Sequence, residues 1–203
     1  MNIILLGGFL GSGKTSVLIS MAHYLTKANF KNQEIRLAII ENEIGEISVD
    51  NKILQGGGYN VSTLFSGCIC CTLAGDLTIA LNDIAVKYAP EYTIIEATGL
   101  AYPSRIVDTI REYGKNVKAI QIIAIVDAER WQENYDALEV LMCGQLQCAD
   151  IILLNKIDVM ADSFVIQITK ELQEINNDAK IYPVSAKNGI EYNVWSSILG
   201  KEE

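Results

Sequence analysis

Histidine is nearly absent from the sequence: His23 is the only one in 203 residues. It lies in a helical pattern, where a structural role is the favoured interpretation, so a histidine-based mechanism or a histidine-rich metal store is excluded. Proline is also scarce, with three residues, and no low-complexity stretch divides the chain. Because linkers between domains are usually rich in proline or of low complexity, the sequence shows no domain boundary. We therefore expect a single domain over residues 1–203.

Positive charge is limited as well. The chain has 16 Lys and Arg against 25 Asp and Glu, a formal net charge of −9. Since binding to nucleic acid needs a basic face, we expect no nucleic-acid partner. No apolar run approaches the roughly 18 residues of a membrane span, and the apolar start lacks the basic segment of a secretion signal. The expected location is the cytoplasm, with no membrane partner, where five cysteines are thiols or metal ligands rather than disulfides.

A glycine-rich loop is the clearest positive feature. Residues 8–15 read GFLGSGKT, between an apolar run and a helical pattern. This spacing in this setting is typical of a phosphate-binding loop. Backbone N–H groups can converge on phosphates only where side chains are absent, and three glycines meet that need: Gly8, Gly11 and Gly13. Lys14 would add a positive charge at the β and γ phosphates, and the Thr15 hydroxyl would bind Mg²⁺.

Apolar runs alternate with helical patterns along the chain. The predicted strands are residues 3–6, 35–40, 92–95, 119–126, 151–154 and 181–184. The predicted helices are 14–27, 73–88, 104–113, 129–148 and 163–175. This alternation predicts an α/β fold in which helices cover both faces of a mainly parallel sheet. With the phosphate loop it indicates a P-loop NTPase whose ligands gather at the carboxyl ends of the strands.

The strand predicted at 92–95 is followed by Glu96 and, three residues later, by Gly99. An acidic residue at a strand end beside a phosphate loop can hold Mg²⁺ directly or through water. The backbone N–H of Gly99 could reach the γ-phosphate, so that residues 96–103 sense its presence. We predict Lys14 and Glu96 as catalytic groups, acting mainly through electrostatics.

An acidic stretch follows the strand predicted at 35–40. Its carboxylates are Glu41, Glu43, Glu46 and Asp50. The stretch could touch a cation or position the attacking water, although a solvated acidic loop is the simpler interpretation. The pattern does not discriminate among the four, and Asp50 is our first candidate for a third catalytic residue.

Two later segments predict a guanine site. The carboxylate of Asp158 can accept hydrogen bonds from N1–H and from the exocyclic amine of guanine, a donor pair that adenine lacks. The Lys156 stem can cover the base, and Asn155 can tie this segment to the phosphate loop. The second segment can offer a backbone N–H to guanine O6, and its residues are Ser185, Ala186 and Lys187. GTP and its product GDP are therefore favoured over adenine nucleotides.

Three of the five cysteines fall within four residues, Cys68, Cys70 and Cys71. Thiolates select ions such as Zn²⁺, Co²⁺ or Cu⁺. Since three ligands leave a tetrahedral site open, the fourth would be water, a partner protein or a carboxylate such as Glu41 or Glu46. Two alternatives remain, namely buried small side chains and a redox thiol pair.

Three further residues receive structural interpretations. Asp127 is expected to cap the helix predicted at 129–148. Cys143 and Cys148, in or near that helix, are expected in the core.

The motifs together make the chain resemble the CobW-like GTPases, relatives of the HypB and UreG metallochaperones. They are GGFLGSGKTS (7–16), ENEIGE (41–46), GCICCTL (67–73), EATGLAYPS (96–104), NKID (155–158) and SAK (185–187). The first motif adds Ser12 and Ser16 to the expected nucleotide contacts. The resemblance implies Mg²⁺-dependent GTP hydrolysis coupled to a transition metal. The resemblance also implies that Cys68, Cys70 and Cys71 bind the metal, with Glu41 and Glu46 as auxiliary ligands.

The function implied is that of a metallochaperone carrying Zn²⁺ or Co²⁺ to a client metalloprotein. A nucleotide-dependent homodimer is implied as well. Many members carry a second domain with a histidine-rich stretch, which this sequence does not contain. Two alternatives are a nucleotide-switched interaction protein that assists a cobalamin- or metal-dependent enzyme without carrying metal, and an ATP-dependent small-molecule kinase.

Overall fold

The structure, a computed structural model, describes residues 1–27, 37–40, 64–65 and 74–199. The strands in these ranges are β1 (Asn2–Gly8), β2 (Leu37–Ile40), β3 (Leu64–Phe65), β4 (Tyr92–Glu96), β5 (Ala119–Asp127), β6 (Ile151–Asn155) and β7 (Lys180–Pro183). The helices are α1 (Lys14–Lys27), α2 (Ala74–Lys87), α3 (Pro103–Tyr113), α4 (Trp131–Leu146), α5 (Asp162–Ile175) and α6 (Tyr192–Leu199). A short 3-10 helix, Ile157–Val159, follows β6.

The strands form one sheet in the order β3-β2-β4-β1-β5-β6-β7. Every pairing described is parallel. Strand β1 lies at the centre, with Leu6 opposite Glu96 of β4 on one side and Gly8 opposite Ile125 of β5 on the other. The chain fills one half of the sheet before it returns to the other, so a crevice opens at the carboxyl end of β1.

Strands β1, β2 and β6 are almost wholly buried because they are apolar, whereas the edge strand β7 is partly exposed. In β1, Ile3 and Leu5 face one core cluster, while Ile4 and Leu6 face the other, as the two-residue period of a strand requires. Helices α2 to α5 contribute to the first cluster, and α1 and α6 to the second. The predicted α/β fold, with a parallel sheet covered by helices on both faces, is confirmed.

The elements that sequence reasoning missed are the shortest ones. Strand β3 has two residues and α6 has eight, and segments of that length show too few periods for a pattern to decide their type. The placement of the cysteines in the core was wrong for Cys143, which is half-buried, and Cys148 only packs against the edge of the core. No helix of the described ranges is long and apolar enough to cross a membrane.

Two helical valines provide a matched test of the core. Val107 in α3 is 3% exposed and Val140 in α4 is 81% exposed. Replacement of either by alanine gains the same small helix propensity. Because only Val107→Ala also leaves a cavity, we expect it to lower the free energy of unfolding by about 2 kcal/mol.

Urea denaturation measures both variants, and Val140→Ala should stay within about 0.5 kcal/mol of the natural protein. Equal losses for the two variants would contradict the assignment of α3 to the core.

Candidate functional site

The phosphate loop joins the end of β1 to the start of α1. Its backbone has positive φ at Gly8 (135°), Gly11 (77°) and Gly13 (96°), a region that side chains rarely tolerate. At Gly8 a Cβ would also collide with the carbonyl oxygen of Ile125. The first helical hydrogen bond, from the Val17 N–H to the Gly13 carbonyl, closes at 3.0 Å. The loop is therefore shaped by its glycines before any ligand is considered.

Two buried polar groups of the loop fit an anionic ligand. Lys14 Nζ donates to the Phe9 carbonyl at 3.1 Å, and burial lowers the pKa of Lys14, an effect that the charge of Glu96 opposes. The Ser12 Oγ is buried and has no hydrogen-bond partner among the described residues. Because burial makes an isolated charge or hydroxyl unfavourable, a phosphate here would stabilise both groups.

Thr15 and Glu96 meet beside the loop. The Thr15 hydroxyl lies 3.1 Å from each carboxylate oxygen of Glu96. The meeting follows from the sheet, since Glu96 ends β4 opposite Leu6 of β1 and Thr15 begins α1. A hydroxyl and a carboxylate are the oxygen ligands that Mg²⁺ prefers, so the pair fits that ion.

The turn after β4 packs against the phosphate loop. It closes with a hydrogen bond from the Ala101 N–H to the Thr98 carbonyl at 3.0 Å. At Gly99 a Cβ would lie 2.8 Å from the backbone nitrogen of Leu10, so any side chain would push the two loops apart. Glu96 and Gly99, which belong to the segment 96–103 predicted to sense the γ-phosphate, thus border the loop that would hold it.

Asn155 joins three segments of the site through one buried side chain. Its Nδ2 donates to the Ser12 carbonyl at 2.9 Å. Its Oδ1 accepts from the Ala186 N–H, also at 2.9 Å. The fit is close enough that a Cβ on Gly13 would collide with Nδ2. One end of the predicted base site is thereby joined to the phosphate loop. The Ala186 N–H, one of the groups predicted to contact guanine O6, already donates to Asn155.

Lys156 is held by a contact that sequence reasoning missed. Its backbone is left-handed, with φ of 68°, and its Nζ lies 2.6 Å from Oδ2 of the buried Asp127. The other oxygen, Oδ1, accepts from the N–H groups of Glu129 and Arg130 just before α4. The prediction that Asp127 caps the helix was wrong, because α4 begins at Trp131, its N-cap residue is Arg130 and it has no side-chain cap. Asp127 instead closes the turn before α4 and also positions Lys156. Only a sheet that sets β5 beside β6 brings these two residues together.

Asp158 and Ser185 form the far end of the predicted base site. The Ser185 hydroxyl donates to the Asp158 carboxylate at 2.6 Å, and this hydrogen bond lowers the pKa of Asp158. The carboxylate is thus ionised at neutral pH and able to accept hydrogen bonds. Ser16 of α1 lines a groove of about 420 Å³ together with Ala186 and Lys187, beside this end of the site.

The remaining predicted site residues lie outside the part of the chain that the structure describes. They are Glu41, Glu43, Glu46, Asp50, Cys68, Cys70 and Cys71. Within the described ranges, no group of three or more His, Cys, Asp or Glu could hold a metal ion. The cysteine site and the acidic loop therefore stay predictions from the sequence.

Comparison with known proteins matches residues 2–183 to the family described as CobW/HypB/UreG, nucleotide-binding domain. The zinc chaperone YjiA of Escherichia coli K12 is 32% identical over 191 residues, which cover 90% of this chain and 57% of YjiA. The chain spans about half the length of the curated relatives it matches.

Solved structures agree with the fold. Zn(II)-bound YjiA GTPase from E. coli superposes with a TM-score of 0.63 at 26% identity, covering 96% of this chain and 60% of that one. The hydrogenase maturation factor HypB from Archaeoglobus fulgidus has a TM-score of 0.66 at 19% identity, covering 98% and 89%. Because HypB is only 19% identical, its similarity supports the fold and nothing further.

The bridging role of Asn155 can be tested without any ligand. Asn155→Ala removes both hydrogen bonds of a side chain that is 3% exposed. The Ser12 carbonyl and the Ala186 N–H then lose their partner, so we expect a loss of about 2 kcal/mol in the free energy of unfolding. Urea denaturation measures it.

The control is Asn193→Ala, at an exposed asparagine of α6. Its stability should change by no more than about 0.5 kcal/mol. A similar small change in Asn155→Ala would show that the three segments hold together without this side chain.

Proposed function

Since the chain belongs to the CobW/HypB/UreG family through residues 2–183, we propose that it binds and hydrolyses GTP in order to control the binding and release of a transition metal. The observation that carries the nucleotide part of the proposal is the bridge made by Asn155 between the phosphate loop and the Ala186 segment. A triphosphate held at one end would place its base at the other, against Lys156 and Asp158.

Hydrolysis would rest mainly on electrostatic stabilisation at the phosphate loop. Lys14 supplies positive charge at the β and γ phosphates. Thr15 and Glu96 would hold Mg²⁺, which when bound neutralises negative charge on the same phosphates. The N–H of Gly99 would approach the γ-phosphate, and an acidic residue, with Asp50 the first candidate, would orient the attacking water.

Guanine selectivity would depend on an ionised Asp158. The hydrogen bond from Ser185 favours the carboxylate, which accepts from N1–H and from the exocyclic amine of guanine. Adenine has no such donor pair and would leave the carboxylate with poorer partners. Asp127 holds the Lys156 head group at 2.6 Å and thereby orients the stem that would cover the base.

The metal would be cargo rather than a resident cofactor. YjiA, the relative compared above, is described as a zinc chaperone, and Zn²⁺ is accordingly the first ion to test here, before Co²⁺. Cys68, Cys70 and Cys71 would bind it as thiolates, with Glu41 and Glu46 as auxiliary ligands. Release to a client metalloprotein in the cytoplasm would follow hydrolysis, and a nucleotide-dependent homodimer is part of the same proposal.

Replacement of Asp158 tests the nucleotide half of the proposal. Asp158→Ala removes the acceptor for two guanine donors, so we expect the affinity for GTP to fall by about tenfold to hundredfold, the loss that charged hydrogen bonds imply. Calorimetric titration with GTP and ATP measures the effect.

Asp108→Ala, at an exposed aspartate of α3, is the control and should bind GTP normally. Undiminished preference of Asp158→Ala for GTP over ATP would overturn the guanine assignment. If the natural protein bound ATP more tightly than GTP, the result would support the kinase alternative.

Zinc titration tests the metal half. If GTP raises the metal affinity, the metal must raise the GTP affinity by the same factor. We expect Zn²⁺ to bind at least fivefold more tightly in the presence of Mg²⁺ and a non-hydrolysable GTP analogue than with GDP, a coupling at the lower end of those usually found. A chromophoric zinc chelator in competition provides the measurement.

The chain offers its own control for the cysteines. The triple variant Cys68→Ser, Cys70→Ser, Cys71→Ser should abolish zinc binding. The double variant Cys143→Ser, Cys148→Ser should leave it unchanged, because those two residues lie in or just after α4. Zinc binding that survives the triple substitution would favour the nucleotide-switched interaction protein. Equal affinities with the two nucleotides would contradict the coupling.

A further inference from the structure

Gln145 is a buried polar residue that the proposed reaction does not use. It lies in the last turn of α4 and is 3% exposed. Its Nε2 donates to the Gly99 carbonyl at 3.0 Å and to the Ala101 carbonyl at 2.9 Å. A primary amide carries two donor hydrogens, so both are directed at the turn that follows β4.

These two hydrogen bonds orient most of that turn. In a trans peptide the carbonyl and the next N–H point in opposite directions. A fixed Gly99 carbonyl therefore also fixes the N–H of Leu100, and a fixed Ala101 carbonyl fixes that of Tyr102. The turn itself closes at 3.0 Å between the Ala101 N–H and the Thr98 carbonyl. Gln145 thus adds two hydrogen bonds from α4 to the one that closes the turn.

The same side chain lies next to the phosphate loop. Gln145 lines a small cavity with Gly8 and Phe9. Its neighbour Gly144 packs so closely on Tyr102 that a Cβ there would lie 2.6 Å from the ring. The carboxyl end of α4 therefore lies beside both the phosphate loop and the turn, and Gln145 makes the hydrogen bonds from this helix to the turn.

We propose that Gln145 is a positioning residue that makes nucleotide affinity depend on the γ-phosphate, by holding the Gly99 turn where it can contact that group. The inference rests on the proposed GTP binding. Without Gln145 both carbonyls lose their donor, and the turn samples other orientations. Because affinity falls with the population of the competent state, the triphosphate should bind more weakly, whereas GDP, which lacks the γ-phosphate, should bind as before.

The test is Gln145→Leu, which keeps a similar side-chain volume and removes both donors. Dissociation constants are measured for a non-hydrolysable GTP analogue and for GDP, each with Mg²⁺. We expect the preference for the analogue over GDP to fall roughly tenfold, the order implied by two neutral hydrogen bonds, while GDP affinity changes less than about twofold. An unchanged preference would overturn the proposal.

Asn176→Leu is the matched control. Asn176 is also a buried amide, 8% exposed, and its Nδ2 donates to two carbonyls at the end of α4 and just beyond, Leu146 at 2.7 Å and Ala149 at 3.0 Å. It does not contact the Gly99 turn. This variant should lower the melting temperature and leave the preference intact, so an equal loss of preference in both variants would reduce Gln145 to a structural role.

Two further outcomes separate the failures. If Gln145→Leu does not fold, Gln145→Met, which is unbranched and also lacks donors, is measured instead with the same expected result. If the natural protein binds neither nucleotide, the proposed function fails and this inference fails with it. If the natural protein binds GDP and the analogue equally well, nucleotide binding stands and the sensing role of the turn is refuted.

Discussion

The arrangement of the site depends on one buried amide, that of Asn155. Its two hydrogen bonds, both 2.9 Å long, tie the Ser12 carbonyl to the Ala186 N–H across 31 residues on one side and 143 on the other. The Ser12 carbonyl and the Ala186 N–H lie beyond the ends of β1 and β7, where the sheet offers no partner, and buried backbone groups need one. Asn155 supplies that partner for two loops at once, which sets the separation between the phosphate and base ends of the site.

Helix α4 connects the same two ends by a second route. It begins four residues after Asp127, which holds the Lys156 head group, and its last turn contains Gln145, which donates to the Gly99 turn. The helix is interrupted at Leu138, whose φ of −141° and ψ of 35° are not helical. The two ends of α4 thus contact the two ends of the site, and the helix is kinked between them.

Sequence reasoning succeeded where one pattern was long or specific. Residues 14–27 were predicted as a helix and form α1 with those bounds, because a phosphate loop requires a helix directly after it. The apolar runs became six of the strands because a parallel sheet is buried on both faces. The two-residue β3 and the eight-residue α6 escaped, since both are too short to show a period.

The sequence by itself determined the phosphate loop, the longer strands and helices, and the residue types on which guanine and metal selectivity would depend. These follow from local constraints: positive φ demands glycine, and burial demands apolar runs. Only the tertiary structure decided that Asp127 pairs with Lys156 and that Gln145 reaches Gly99. Such partners lie 29 and 46 residues apart, and no local pattern encodes them, because their meeting depends on which strands become neighbours in the sheet.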